Sequence, residues 1–486
     1  MQVEVVGHET RGRHVPIYKR KLVHREYVFY GAYSANIIMV VRIKRDVPQD
    51  SLRSVIKQIP YRHPLLQVRI VKDEHGVPWF TSEGCKEVDL QIQSRSSDSD
   101  WINTCYADYH HPFRHAEGPH AKFTLLYSPT VSELVITIHH VIGDGMSLGY
   151  LVRDILDHLA DPTREYIRLE PPIFTIENIP IEPKANLLVK FILNRYNKKW
   201  QRQKSEYNIS FDEEDMANVH EVFISNFKPI FSNLQLSEAE TTSFIQKCRE
   251  EEVTVNSALL TLFLRVQQQY LNLNPKFKHR TIVPVNIRPR LRKPVGEEFS
   301  FYASGYDIKY QYKEDKSFWH NVRTFHRMIY NKMTDKNIFR DLILMYHYMD
   351  PSIMGDLKYL FSGRLVKEHQ SRYEKLSHLA QQKNLVVNKI IKSKKLDLSG
   401  FTHEVVLTNI GNLDRINLKR SYGSLELNSL MFAPGSNART RLAIGVVTAS
   451  GKLNLSISSM SHIYSQEKLD EIKNLAYEKL RKEIGW

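Results

Sequence analysis

Residues 134–147 read Leu-Val-Ile-Thr-Ile-His-His-Val-Ile-Gly-Asp-Gly-Met-Ser, and their abrupt change of hydrophobic period limits the fold more than any other stretch. Residues 134–138 are an almost unbroken apolar and β-branched run, the pattern of a strand buried on both faces. From Leu148 the apolar residues fall at Leu148, Leu151, Val152, Ile155, Leu156 and Leu159, the stripe of an amphipathic helix. A strand therefore ends and a helix begins around His139, His140, Asp144 and its flanking Gly143 and Gly145, with Ser147 expected as the helix N-cap.

A histidine at the end of a buried strand is held in place, and its ordinary pKa near 6.5 suits a general base at neutral pH. Adjacent strand residues point to opposite faces, so His139 and His140 are not expected to face one cavity. Gly143 and Gly145 permit a sharp turn and close approach of another segment. Asp144 fits either a reactive group or an anchor for a distant cation. Paired histidines also occur as ordinary polar residues at strand ends; the full spacing, set between a strand and a helix, is what points to a site.

The stretch His139-His140-Val-Ile-Gly143-Asp144-Gly145 resembles the HHxxxDG signature of the superfamily with the chloramphenicol acetyltransferase fold. That superfamily includes peptide-synthetase condensation domains, plant acyltransferases and fungal alcohol acetyltransferases. The resemblance implies that His140 is the catalytic base and that Asp144 is structural, pairing with an arginine far along the chain. His139 and Gly145 would be structural at the same site.

A chain of 486 residues is comfortable for two domains, and 42% hydrophobic with 25% charged residues is a globular composition. No apolar run approaches a membrane span, and the start, Met-Gln-Val-Glu-Val-Val-Gly-His, lacks the plan of a signal peptide, so a cytoplasmic location is expected. Cys85, Cys105 and Cys248 have no metal-ligand spacing and fit free thiols in a reducing compartment. A net charge of +14 suits nucleic acid, an anionic membrane surface or a phosphate-bearing substrate. Basic residues clustered with aromatics in a nucleic-acid module are not found, so no nucleic-acid partner is expected.

In order along the chain, residues 1–18 read as an arm, 35–43 as a strand, 51–59 as a helix and 66–71 as a strand. Arg62-His63-Pro64-Leu65 resembles a structural His-Pro-x-Leu step of the fungal alcohol acetyltransferases. Tyr109 to His115 tempts a metal reading, but Pro112 forbids a regular ligand face and the stretch reads as a loop; no metal site is expected. Residues 121–127 read as another strand. Prolines then break the periodicity, giving a linker with a single helix at about 187–206.

The second half opens on the capping box Ser237-Glu-Ala-Glu240, followed by a second helix from about Thr254. Residues 279–290 read as a strand entering a loop, similar to a superfamily step whose arginine pairs with the motif aspartate; Arg288 would be that arginine. Residues 404–412 give a strand ending in Thr408-Asn409-Ile-Gly411, similar to stretches lying across the cleft from the histidine, where Asn409 would bind substrate; a turn-forming role fits Asn409 equally. Strands at 427–432, 441–447 and 453–458 precede a closing amphipathic helix at 466–484, for which packing on a sheet is favoured over docking to a membrane.

The expected architecture is α/β (α+β): two chloramphenicol acetyltransferase-like sheet-and-helix domains with an active-site channel between them. The expected divisions are 1–165, a linker or crossover at 166–230, and 231–486. The resemblance implies a monomeric, stand-alone acyltransferase using acyl-coenzyme A, with acetyl-coenzyme A favoured, as co-substrate and no permanently bound cofactor. An alcohol or amine would accept the acyl group, and peripheral contact with the endoplasmic reticulum or lipid droplets fits. The plant branch's aspartate-phenylalanine-glycine-tryptophan-glycine stretch is absent. Two alternatives stay open: a condensation-type enzyme acting on carrier-protein-bound substrates, and a non-catalytic binding or scaffold protein of the same fold.

Overall fold

A computed structural model describes residues 7–10, 13–32, 35–182, 186–274, 276–366, 371–393 and 403–486. Two six-stranded sheets, each with its own helices, form the body of the protein. The first runs Ser421–Tyr422, Leu425–Ala433, Asn36–Lys44, Val131–His139, Ala121–Tyr127, Leu90–Ser94. The second runs Pro229–Gln235, Lys452–Met460, Thr440–Ala449, His403–Asn412, His279–Asn286, Ala303–Tyr310.

The strand Val131–His139 is central because both of its faces are apolar. Leu134, Ile136 and Ile138 face the core beneath the helices Gln49–Arg62 and Gly145–Ala160. Val135, on the opposite face, joins Ile38, Val40, Trp101 and Phe231. The helix after the turn buries the stripe Leu148, Leu151, Val152, Ile155 and Leu156. At about 1.5–3 kcal/mol for each large side chain, that stripe anchors the turn between strand and helix.

The helix N-cap is Asp144, whose carboxylate accepts from the Ser147 N–H, so the expected cap at Ser147 is displaced by three residues. Both residue types cap well; Asp144 takes the position because its backbone is extended while the helix already begins at Gly145.

The first sheet is not built from the first half alone. Leu425–Ala433 pairs antiparallel with Asn36–Lys44 and carries Ser421–Tyr422 at the sheet's edge. The expected divisions at 165 and 231 contain no sign of this crossover, since an apolar strand reads the same in either sheet. The crossing brings the sheets very close: a Cβ built at Gly445, in the second sheet, would stand 1.9 Å from the Phe432 carbonyl oxygen.

The 166–230 segment holds more structure than a linker with one helix. Leu187–Glu206 is helical as expected, but Glu213–Asn226 is a second helix, capped by Asp212 and Asp215, and it buries Met216, Val219 and Val222. The acidic run at 212–215 is a helix start. Where an arm was expected, Gly7–Thr10 pairs with Arg13–Pro16. The 109–115 stretch begins as the end of the helix Asp100–His110. The closing helix, Gln466–Ile484, buries Leu469, Ile472, Ala476 and Leu480 and packs on the second sheet. Among the described residues no helix is long and apolar enough to cross a membrane.

Gly445→Ala is expected to lower the unfolding free energy by at least about 1–3 kcal/mol, because backbone rather than a flexible side chain occupies the space. A denaturant midpoint equal to that of the parent protein would mean that the crossover strand does not press on the second sheet as described.

Candidate active site

The turn after Val131–His139 sits where the two lobes meet. A Cβ at Gly145 would come within 2.6 Å of Ile410, at the end of a second-sheet strand, and 2.9 Å of Phe432 on the crossover strand. Only the lack of a side chain at Gly145 lets these segments close on the motif.

Asp144 and Arg288 join the lobes directly. The Arg288 Nη1 donates to Asp144 Oδ2 at 2.8 Å and to Oδ1 at 3.1 Å, and both side chains are almost fully buried. Asp144 also accepts from the backbone N–H groups of Ser147 at 2.9 Å and Tyr302 at 2.7 Å. Arg288 Nη2 donates to Ser147 Oγ at 2.8 Å and to the Ser300 carbonyl at 3.2 Å. Burial pushes the Asp144 carboxyl upward, but the Arg288 guanidinium and these N–H donors outweigh it and hold the group below its ordinary range. Such a carboxylate is fully engaged in holding structure.

His139 and His140 diverge as alternation requires. His139 is buried, donates from Nε2 to the Ala32 carbonyl at 2.9 Å and accepts at Nδ1 from the Val141 N–H at 3.2 Å. It belongs to a cluster with His115 and His120. His120 donates from Nδ1 to the Val68 carbonyl at 3.0 Å, so its Nε2 accepts from His115 Nδ1 at 2.9 Å. Burial keeps all three rings neutral: His120 is pushed down to about 4, and His115 and His139 also fall well below their ordinary value. Burial likewise brings Lys358, which donates to the Val28 carbonyl, down to about 7.

His140 faces the other way and is only half-buried. Its Nδ1 lies 2.7 Å from the Gly143 carbonyl, which can only accept, so Nδ1 carries the proton and Nε2 is the acceptor of the neutral ring. Phe29 stacks on the imidazole with centroids 4.4 Å apart, and Phe301 meets it at right angles at 4.9 Å. Burial pulls the imidazole below its ordinary pKa; the Gly143 carbonyl and Asp144 oppose that, and the Arg25 cation adds to it. Arg25 is itself buried, its guanidinium 4.4 Å from the Phe301 centroid and 4.9 Å from that of Phe174.

Asn409 lies one residue from the Ile410 that packs on Gly145. Its Oδ1 accepts from the Gly411 N–H at 2.8 Å, and Gly411 has a φ of +90°, so the side-chain oxygen forms a local turn. His63 is buried and bonded to Asp154 at 2.9 Å, within a network that Arg62, Arg153 and Glu297 complete. No group of acidic, histidine or cysteine side chains among the described residues has the arrangement of a metal site. Arg25, Phe29 and Phe301 were not foreseen. Nothing in their sequence neighbourhoods marks them, since they reach His140 only through the fold.

Residues 15–161 match the family model of the Condensation domain. Surfactin synthase subunit 1 from Bacillus subtilis (strain 168) is 25% identical over 139 residues, 28% of this chain. The match spans only 4% of that protein's length. Among solved structures, TRI3 trichothecene 15-O-acetyltransferase from Fusarium sporotrichioides superposes with a TM-score of 0.62 at 11% identity, covering 98% of this chain and 97% of that one. Polyketide synthase associated protein 5 from Mycobacterium tuberculosis gives 0.56 at 14% identity, covering 94% and 97%. The epimerization domain from the third module of tyrocidine synthetase B gives 0.54 at 13%, covering 96% and 97%. At these identities the likeness is one of fold: two sheet-and-helix domains arranged as in the condensation and chloramphenicol acetyltransferase-like proteins.

Asp144→Ala leaves Arg288 as a buried, uncompensated cation and is expected to cost about 3–5 kcal/mol of stability in equilibrium unfolding. An unchanged melting temperature would remove the structural role given to the pair. The histidine cluster sets a second expectation. Unfolded histidines take up protons as pH falls through about 6.5, whereas the folded cluster resists doing so, to about 4 for His120. Stability should therefore decline with falling pH across that window, and a flat profile would show that the cluster protonates in place.

Proposed function

We propose that the protein is an acyltransferase in which His140 is the general base, moving an acyl group from acyl-coenzyme A to an alcohol hydroxyl or an amine, in the manner of the fungal alcohol acetyltransferases. The observation that carries this reading is the orientation of His140. Its Nδ1–H is tied to the Gly143 carbonyl, which makes Nε2 the proton acceptor of the neutral ring, and the residue is half-buried at the meeting of two lobes. The name of the trichothecene acetyltransferase, whose fold covers nearly the whole chain, supports transfer to a hydroxyl.

In the proposed step the acceptor and the thioester meet beside Nε2. Nε2 takes the proton as the acceptor oxygen or nitrogen attacks the thioester carbonyl carbon. The tetrahedral intermediate collapses with loss of the C–S bond, and the imidazolium returns the proton to the departing thiolate. A thiolate is a good leaving group, so one base serves both directions of proton transfer. Asp144 holds the turn and does not receive the proton, consistent with its engagement by Arg288.

The Condensation-domain match over residues 15–161 favours a second reading, in which the acyl group is delivered by a carrier protein rather than by free coenzyme A. The two readings share His140 and differ in the donor, so matched assays with acetyl-coenzyme A and with acetyl-loaded carrier protein discriminate them.

Thiol release from acetyl-coenzyme A with a panel of alcohols and amines is expected for the parent protein, and His140→Ala should abolish it while far-ultraviolet and near-ultraviolet dichroism stay unchanged. The acid limb of kcat/KM should have its midpoint below pH 6.5, because burial disfavours the imidazolium. Near-normal turnover by His140→Ala, or an acid limb above 6.5, would contradict the proposal; no release from either donor would favour a binding protein of the same fold.

A further inference from the structure

The helix Leu187–Glu206 has an inner and an outer side with opposite characters. Its inner side is firmly docked. Asn197 Nδ2 donates to the Tyr348 carbonyl at 2.7 Å and Asn197 Oδ1 accepts from the Asp350 N–H at 3.0 Å. Trp200 is buried and donates from Nε1 to Ser352 Oγ at 3.1 Å, and Gln203 exchanges hydrogen bonds with the Asn384 carbonyl and the Val386 N–H.

The outer side begins with an apolar surface that nothing among the described residues covers. Leu187 is 82% exposed, Leu188 and Phe191 are each 63% exposed, and Val189, Ile192 and Tyr196 are exposed beside them. At about 100° per residue these side chains span an arc of about 200°. A helix that docks into a groove on a protein buries a stripe of about 100°. The broader arc fits a surrounding medium better than a groove. Further along the same outward arc the exposed residues become basic: Arg195, Lys198 and Arg202, with Lys199 half-buried beside them. Lys190, also exposed, lies off that arc and reaches over the Tyr348 ring on the docked side, and the helix carries no acidic residue before Glu206.

We propose that this helix docks the protein on an anionic lipid bilayer. Leu187, Leu188, Phe191 and Ile192 enter the boundary between headgroups and acyl chains, and Arg195, Lys198 and Arg202 meet the headgroup charge. Charge complementarity selects a membrane over a second copy of this chain: pairing two such helices side by side would bring basic surfaces together in a protein already at +14. The closing helix, whose apolar face is buried on the second sheet, is not the docking element. The inference stands independently of the transferase reading, since no residue in it touches His140.

The test is flotation of the full chain with vesicles of phosphatidylcholine alone or of phosphatidylcholine with phosphatidylserine. The parent protein should float with the phosphatidylserine vesicles and lose that binding as salt is raised. Leu188→Ser with Phe191→Ser should abolish flotation. Lys198→Ala with Arg202→Ala should weaken it roughly thirty-fold, at the usual contribution of a basic residue near an anionic surface. All of these side chains are on the surface, so melting temperatures should match the parent's, which separates lost docking from lost folding. Failure of the parent protein to float, equal flotation of either variant, or a solution dimer that Leu188→Ser with Phe191→Ser turns into monomer without any effect of vesicles would overturn the proposal.

Discussion

The buried pair between Asp144 and Arg288 is the constraint from which the geometry around His140 follows. Asp144 caps the helix Gly145–Ala160, accepts the Tyr302 N–H and holds a guanidinium that reaches back to Ser147 and the Ser300 carbonyl. One carboxylate thus fixes the turn after the central strand, the start of the helix and the segment leading into the second-sheet strand Ala303–Tyr310. Phe301, next to Tyr302, is placed against the imidazole by the same segment. A surface ion pair contributes little to stability, but a buried one with its remaining lone pairs satisfied resists loss of either partner.

The two adjacent histidines differ in how the fold engages their rings. His139 has both ring nitrogens engaged and belongs to a buried neutral cluster. Among the described residues His140 has one ring nitrogen engaged, Nδ1, which leaves Nε2 as the acceptor of the neutral ring, and the residue is only half-buried. Strand alternation is enough to produce the difference. Burial among Phe29 and Phe301 and the nearby Arg25 cation then favour the uncharged ring, the state that the proposed role as a base requires.

Much of this arrangement is legible in the sequence, because period and capping are local properties. The strand Val131–His139, the helix Gly145–Ala160, the capping box at Ser237 and the closing helix Gln466–Ile484 all follow from spacing. Sheet membership is less accessible: Leu425–Ala433 is apolar and β-rich, and only the tertiary fold assigns it to the first sheet. The helix Glu213–Asn226 was hidden because its acidic start reads as a linker when the buried face that follows is ignored. At the site, His140, Asp144 and Arg288 stand out by motif and resemblance, while Arg25 and Phe301 carry no local signal. Asn409 shows a limit of a different kind, since its side-chain oxygen is used in a turn that the Asn-x-Gly spacing itself encodes.

The Gly143 carbonyl makes His140 a neutral imidazole with its proton on Nδ1 and its accepting lone pair on Nε2. Nitrogen-15 chemical shifts of the His140 ring, followed through a pH titration and identified by comparison with His140→Ala, test it most directly. The expected result is the Nδ1–H tautomer persisting to a midpoint below pH 6.5. An Nε2–H tautomer, or a ring already protonated at neutral pH, would contradict it.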